Sequence, residues 1–297
     1  MRVLLFGSGA MACLFGARLS RVAQVTLVDA WAEGIAAIRE RGIFFEDFGE
    51  TRTVRVDAEL LGARVARSNL AIVLVKSWQT AHIAGHISEC LNPDGLAISL
   101  QNGLGNVELL GPRAFPGTTA EGATLLGPGH VRAGGSGPTH VVAPSWVVDL
   151  LNRAGFDCRG CAPREAEGLV WGKLSASCGI NALTALLRMP NGRLLDSPDA
   201  ADLMGRAATE CAAVARARGV QLPFADPAAY AREVAEKTAG NQSSMLQDLL
   251  RGAPTECDAI NGAVAREAKK AGVPAPVNEI LWQLIRAAVH QNRSQGS

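Results

Sequence analysis

Val3-Leu4-Leu5-Phe6-Gly7-Ser8-Gly9-Ala10-Met11-Ala12 is the stretch that decides the fold. Its first four residues are a short apolar run, the pattern of a strand buried on both faces. The spacing that follows is G-x-G-x-x-G/A, with Ala12 at the third small position. Gly7 permits a tight turn, Gly9 lets the backbone approach a pyrophosphate, and Ala12 keeps the next helix close to the sheet. That helix, running to about Arg21, offers unpaired N–H groups to phosphates. Val25 to Val28 reads as a second strand ending in Asp29. The whole is a βαβ unit that opens a Rossmann-type α/β domain. Gly7, Ser8, Gly9, Ala10 and Met11 are its candidate cofactor loop.

Asp29 bears on the choice of dinucleotide. An acid at the end of the second strand hydrogen-bonds the ribose hydroxyls of NAD and repels the 2′-phosphate of NADP. Ala30 and Trp31 follow it, while Arg39 and Arg41 lie farther along the next helix. The expected cofactor is therefore NAD(P)H, with NADH favoured. The other role open to this carboxylate is capping a helix that starts near Trp31.

Ala71 to Val75 reads as another buried strand, with Lys76 at its carboxyl end, and Leu96 to Leu100 as the next, running into Gln101-Asn102-Gly103-Leu104-Gly105. Ligands of open α/β sheets bind outside the carboxyl ends of strands. Lys76 and Asn102 are thus candidates for the cofactor edge. The alternatives are an ordinary exposed lysine and a turn that uses asparagine for its backbone preference. Between these strands, Gln79 to Cys90 reads as a helix carrying His82 and His86. Without the glutamate of H-E-x-x-H, that pair reads as a solvated face rather than a metal site. Glycine-punctuated β-branched runs from Thr118 to about Ala143 predict antiparallel strands finishing the sheet. A helix near Ser145 to Ala154 and a strand near Phe156 to Cys158 close the first domain, assigned to residues 1–164. Residues 165–297 read as an all-α second domain, with breaks at Pro190-Asn191-Gly192, Pro223 to Pro227, Gly252-Ala253-Pro254 and Pro274 to Pro276. Arg293 to Ser297 are expected to fray.

The helical half opens with Val170-Trp171-Gly172-Lys173-Leu174-Ser175-Ala176-Ser177-Cys178-Gly179-Ile180-Asn181. On a helix, residues four apart share a face, so Lys173, Ser177 and Asn181 line up. An ammonium, a hydroxyl and an amide on one stripe of an apolar helix need partners. A ligand is one solution and a satisfied core network is the other. Farther on, Thr255-Glu256 sits just past the break at Pro254 and reads as a helix start. Its carboxylate either caps its own helix or pairs with Lys173.

Composition narrows the class. The chain has 297 residues, 48% of them hydrophobic, and a net charge of +1. That suits two domains with sizeable cores, and no basic tract invites nucleic acid. No apolar run has the length of a membrane span, and Met1 to Phe6 reads as a strand rather than a signal peptide. Seven scattered cysteines point to reduced thiols in a cytoplasmic protein. Cys158 and Cys161 form a lone CxxC, which reads as small buried thiols rather than a zinc or redox centre.

With these residues in view, the chain resembles the ketopantoate reductase (2-dehydropantoate 2-reductase) family. The resemblance spans nearly the whole length. It rests on the glycine fingerprint, Val75-Lys76-Ser77-Trp78-Gln79, Gln101-Asn102-Gly103-Leu104-Gly105, Trp171-Gly172-Lys173-Leu174 with Asn181, Ser243-Ser244-Met245-Leu246-Gln247-Asp248, and Thr255-Glu256 with Ile260-Asn261-Gly262. It implies a Rossmann domain followed by a helical domain, with a small 2-oxo acid bound between them. It implies further that Lys173 is the catalytic lysine and Glu256 the acidic site residue. Asn181 and Ser244 match substrate-contacting positions, and Asn102 and Lys76 the polar residues near the nicotinamide.

Two departures bear on specificity. Ser177 stands where the family usually has asparagine four residues after the lysine, and a hydroxyl is shorter and offers fewer hydrogen bonds. Asp29-Ala30 occupies the region where members using NADPH usually carry arginine. Two other functions stay open: a sister enzyme acting on another 2-oxo or hydroxy acid, and a non-catalytic dinucleotide-binding sensor on the same scaffold. A homodimer formed through the helical half is an assembly the sequence leaves open.

Overall fold

A computed structural model describes residues 1–295, with side chains described through residue 291. The chain divides into two compact units, one of Met1–Gln101 with Asn106–Ala166, the other of Asn102–Gly105 with the residues from Glu167 onward.

The first unit is α/β. In chain order it contains β1 (Arg2–Phe6), α1 (Ala10–Leu19), β2 (Gln24–Asp29), α2 (Ala32–Arg41), β3 (Ile43–Asp47), β4 (Glu50–Val54), β5 (Asp57–Leu60) and β6 (Ser68–Val73). Then come α3 (Thr80–Cys90), β7 (Leu91–Ser99), α4 (Asn106–Leu110), β8 (Ala114–Thr119), β9 (Gly122–Gly127), β10 (His130–Gly135), β11 (Thr139–Val141), α5 (Ser145–Arg153) and β12 (Cys158–Gly160). The main sheet has eight strands in the order β12-β11-β8-β7-β6-β1-β2-β5. Val3, Leu4, Leu5 and Phe6 of the central β1 are 0% exposed, because parallel strands have helices or sheet on both faces. β1 is parallel to β2 and to β6, so both flanking strands end on the same side as the glycine loop.

Two features depart from the sequence reading. The strands between Thr118 and Ala143 do not all finish the main sheet. Only β8 and β11 join it; β9 and β10 form a second, four-stranded sheet in the order β4-β3-β10-β9. The reason lies in residues 43–60, where three strands arise that the alternation of the sequence does not announce. β3 takes β10 as a parallel partner, and β10 takes β9 through a turn at Gly129, φ +71°. Val131 and Ala133 then point inward, into the core that contains α1. The second departure is that β6 ends at Val73, so Lys76 lies in the turn beyond the strand rather than on it.

The second unit is helical: α6 (Pro163–Leu187) from Glu167 onward, α7 (Pro198–Ala217), α8 (Pro227–Lys237), α9 (Ser244–Leu250), α10 (Asn261–Ala271) and α11 (Pro276–Gln295). The starts are written locally. Ser197 caps α7 through Ala200 N, and Asp226 caps α8 through the amides of Ala228 and Ala229, each with proline in the first turn. Gly272, in the left-handed region, ends α10. A break over residues 238–243 separates α8 from α9 without any proline. α6 runs through the middle of the core, packed by Trp171, Leu174, Cys178, Ile180 and Leu183. The backbone of α11 continues to Gln295, through part of the tail expected to fray; Gly296 and Ser297 lie outside the described residues. Among the described residues no helix is long and apolar enough to cross a membrane.

Candidate active site

The glycine loop comes first. Gly7 has φ +130°, and a Cβ there would meet Leu74 C at 3.2 Å and Ala12 Cβ at 3.3 Å. Only glycine holds that turn without strain. A Cβ on Gly9 would meet nothing within 4 Å, so open space lies over the loop at the start of α1. Gly9 is the N-cap of α1 and brings no capping side chain, which leaves the helix amides to a ligand. Ala10 and Met11 begin that helix, half-buried. Asp29 ends β2 and is 6% exposed. Its Oδ2 accepts from Ser8 N and from Ser8 Oγ, each at 2.7 Å. Its Oδ1 accepts from Ala30 N at 2.7 Å. The acid is therefore fixed against the second residue of the glycine loop. It is not the N-cap of α2, a position held by Trp31. These residues fit an adenine dinucleotide: an uncovered glycine cradle, uncapped helix amides and a carboxylate anchored beside them.

The carboxyl ends of β6 and β7 are tied by Gln101. Its Nε2 donates to Val75 O at 3.0 Å and to Thr80 Oγ1 at 2.8 Å, and its Oε1 accepts from Ser99 Oγ at 3.0 Å. Lys76 follows Val75, its backbone amide donating to Gln79 Oε1 at 3.2 Å. Gln101 thereby sets the backbone on which Lys76 stands. Sequence alone does not single it out, since its role shows only once two strands lie side by side.

In the helical unit, the stripe on α6 stands out by accessibility. From Trp171 to Ala185 every residue is buried except Lys173, Ser177 and Asn181, which are partly accessible. The spacing of four puts all three on the one open face of this otherwise enclosed stretch. Lys173 keeps some exposed surface, yet the protein around it removes enough water to lower its pKa from 10.5 to about 8. Burial is the main cause, and the negative charge of Glu256 acts in the opposite direction.

Glu256 is 5% exposed and does not start a helix. It lies in a turn whose amides at Ala259 and Ile260 both bond Glu256 O at 3.0 Å, and α10 begins only at Asn261. Ile260, at φ −100° and ψ −98°, breaks the helical path between the two. The carboxylate is free of a capping role on α10 for that reason, and Oε2 accepts from Asn102 Nδ2 at 3.3 Å. Asn102 is brought there by the loop Asn102–Gly105. Leu104 N donates to Ala259 O at 3.0 Å, and Gly103, at φ +82°, has Ala259 O only 2.4 Å from where a Cβ would be. Gly103→Ala is expected to cost about 2 kcal/mol of stability, from a disallowed φ and a backbone clash. A thermal melt checks this: Tm drops by several degrees if the loop is held as described.

Ser244 opens α9, next to its N-cap Ser243, whose Oγ accepts from Leu246 N at 3.1 Å. Ser243 Oγ and Thr184 Oγ1 are hydrogen-bonded at 2.7 Å, and Thr184 Oγ1 also bonds Asn181 O at 3.1 Å. This pair fixes the start of α9, and with it Ser244, to the Asn181 turn of α6. Nothing in the sequence marks Thr184, because a threonine in an apolar run reads as core. Asn191 Nδ2 donates to Thr238 Oγ1 at 2.9 Å, and its buried Oδ1 has no hydrogen-bond partner among the described residues. The structure thus gathers Lys173, Glu256 and Asn102 at one level of α6, and Asn181 and Ser244 at another. Gly7 to Met11, Asp29 and Lys76 lie in the first unit. Burial pushes the Cys158 thiol up to about 11 and raises that of Cys161 as well.

Comparison with known proteins gives the family. A 2-dehydropantoate 2-reductase of Halobacterium salinarum is 35% identical, over 97% of this chain and 99% of that protein. The crystal structure of a PanE/ApbA family ketopantoate reductase from Ralstonia eutropha JMP134 superposes with a TM-score of 0.91, at 31% identity, over 99% of this chain and all of that one. A ternary structure of D-mandelate dehydrogenase with NADH and anilino(oxo)acetate gives 0.92 at 25% identity, over 99% of this chain and 100% of that one. Residues 3–145 match the family described as ketopantoate reductase PanE/ApbA, and residues 165–289 match its C-terminal part. The two matches take in both the glycine cradle and the Lys173 stripe, so the chain belongs to the ketopantoate reductase PanE/ApbA family.

Proposed function

We propose that this protein reduces 2-dehydropantoate to pantoate, with residues 1–164 as the cofactor domain and 165–297 as the substrate and catalytic domain. The observation that carries this is the accessible stripe Lys173, Ser177 and Asn181 in the otherwise buried stretch 171–185 of α6, with Glu256 beside the amine. A nicotinamide dinucleotide supplies the hydride when bound. Everything else is work for the chain's own groups. As the carbonyl carbon is reduced, negative charge grows on its oxygen. Lys173, as ammonium, stabilises that charge and then gives up a proton from Nζ to the alkoxide. One preorganised donor of this kind is worth about 3–4 kcal/mol of transition-state stabilisation. A pKa near 8 suits the task, since the amine is mostly protonated at neutral pH yet releases its proton readily. Glu256 keeps the amine charged and positioned, and has a second role as acceptor for a substrate hydroxyl. Asn102 orients that carboxylate. Asn181, Ser177 and Ser244 hold the substrate through hydroxyl and amide contacts.

On the cofactor side, Gly7 to Met11 cradle the pyrophosphate and Asp29 receives the adenosine ribose, which favours NADH over NADPH. Arg39, the cation on α2 nearest in sequence, is spoken for: its Nε donates to Ala58 O at 2.5 Å and its guanidinium pairs with Glu59. Lys76 would be a polar contact for the nicotinamide end of the bound cofactor. The exposed Ile280 and Leu284, one turn apart on α11, are where we place a homodimer contact.

The test is the oxidation of NADH, and separately of NADPH, with 2-dehydropantoate as acceptor. Turnover with NADH at the higher kcat/KM supports the reading, and no turnover with either cofactor defeats it. A sister activity on another 2-oxo acid is favoured by Ser177 and by the close superposition on D-mandelate dehydrogenase. Ser177→Asn separates the two. If 2-dehydropantoate is the substrate, the longer amide raises kcat/KM for it, by roughly threefold to tenfold for one added hydrogen bond. If a bulkier acid is the substrate, the same change lowers kcat/KM for that acid.

A further inference from the structure

Trp31 is the N-cap residue of α2, and its side chain makes no capping hydrogen bond. The indole folds back over the first turn instead. A Cβ built on Gly34 would lie 2.3 Å from Trp31 Cε3 and 2.7 Å from Cζ3. Ring and glycine are therefore in van der Waals contact, and any other residue at position 34 would push the ring away. Glycine costs a helix roughly 1 kcal/mol relative to alanine, so the helix itself gives no reason for it. The indole does.

The surroundings give the packing a meaning. Asp29, two residues before the tryptophan, accepts from Trp31 N at 3.4 Å as well as from Ala30 N. Glu33 is the acid in the first turn of α2. Arg39 is turned onto β5. At the place where a 2′-phosphate needs a cation or bare helix amides, the chain presents two carboxylates and an aromatic ring.

We propose that Trp31, seated on Gly34, is a specificity-determining residue for the coenzyme: its indole and Asp29 together admit a ribose with a free 2′-hydroxyl and refuse one carrying a 2′-phosphate. This rests on the preference for NADH put forward above and adds a steric element to it. Asp29 repels the phosphate by charge. Trp31, seated on Gly34 in the first turn of α2, adds bulk beside that carboxylate. Discrimination of this kind works by obstructing the wrong ligand as much as by holding the right one.

Binding of NADH and of NADPH to the intact protein, measured by calorimetry without substrate, provides the test. In the parent, NADH binds more tightly. Gly34→Ala displaces the ring by one methyl group, and the ratio of the NADPH to the NADH dissociation constant falls roughly tenfold. Trp31→Ala lowers the same ratio by a similar factor. In the double variant, alanine at position 34 has no ring to displace and adds nothing further, a coupling that a general loss of structure would not produce. Should either single variant fold poorly, the other carries the test. If the parent prefers NADH and both single variants keep its ratio, the indole has no part in discrimination and the inference fails alone. If the parent binds NADPH more tightly, the NADH reading fails and takes the inference with it.

Discussion

Lys173→Ala lowers kcat for reduction of the 2-oxo acid by roughly 10³-fold while leaving dinucleotide binding unchanged. The size follows from the two duties assigned to one nitrogen, countering the charge on the oxygen and delivering the proton. The separation follows from position, since Lys173 lies on α6 and the glycine cradle in the other unit. Steady-state rates and a binding titration on the same preparation check both halves. The shortened side chain also removes a strained burden: an amine whose pKa is lowered by burial resists being charged there, so the variant is not expected to melt earlier. A variant that turns over like the parent would remove Lys173 from the mechanism.

Glu256→Gln has the second largest effect, and its signature is a change in pH dependence. In the parent, the reducing direction needs Lys173 protonated, so the rate declines as pH rises through about 8. Glu256 raises the lysine pKa against the effect of burial. Replacing the carboxylate by an amide removes that support, and the lysine loses its proton at lower pH. The alkaline limb therefore moves toward acid, and the loss in kcat is greater at pH 8 than at pH 6. At neutral pH the loss is roughly ten- to a hundredfold. The amide keeps the shape of the side chain and a hydrogen-bonding oxygen for Asn102. A limb that stays in place would mean that some other group controls the decline.

The parts of this protein that local sequence could announce are those whose chemistry is local. Val3 to Phe6 with Gly7 and Gly9 specify a buried strand, a turn and a helix start within ten residues, and each appears as read. The stripe of Lys173, Ser177 and Asn181 was equally legible, because helical periodicity alone puts them on one face. What sequence hid depends on partners far along the chain. β4 and β5 have few apolar residues, and the three strands gain their order from one another's pairing: β3 on β10, β4 on β3 and β5 on β2. Arg18 and Glu121 look like surface residues, yet they meet inside the first unit at 3.1 Å, with Ser136 Oγ on the other carboxylate oxygen. Burial raises the pKa of Glu121 in spite of the arginine, a sign of how completely that pair leaves the solvent. The place of Glu256 just past Pro254 is legible in the chain, but its turn conformation is not, since it goes with a break at Ile260 and with a distant loop, Asn102–Gly105, docked on Ala259.

Coenzyme choice illustrates the same division. Asp29 and the absence of an arginine directly after it can be read off the chain. That the acid is held by Ser8, that Arg39 is occupied by Ala58 and Glu59, and that an indole lies across the first turn of α2 are matters of three-dimensional placement.

In the mechanism proposed above, the Lys173 amine, held by Glu256, meets the carbonyl oxygen of the substrate. A crystal structure with the oxidised dinucleotide and 2-dehydropantoate bound tests it most directly. Lys173 Nζ is expected at about 3 Å from that oxygen, with a Glu256 oxygen within reach of the same nitrogen. A structure in which the carbonyl points away from Lys173 and is met by another donor would contradict it.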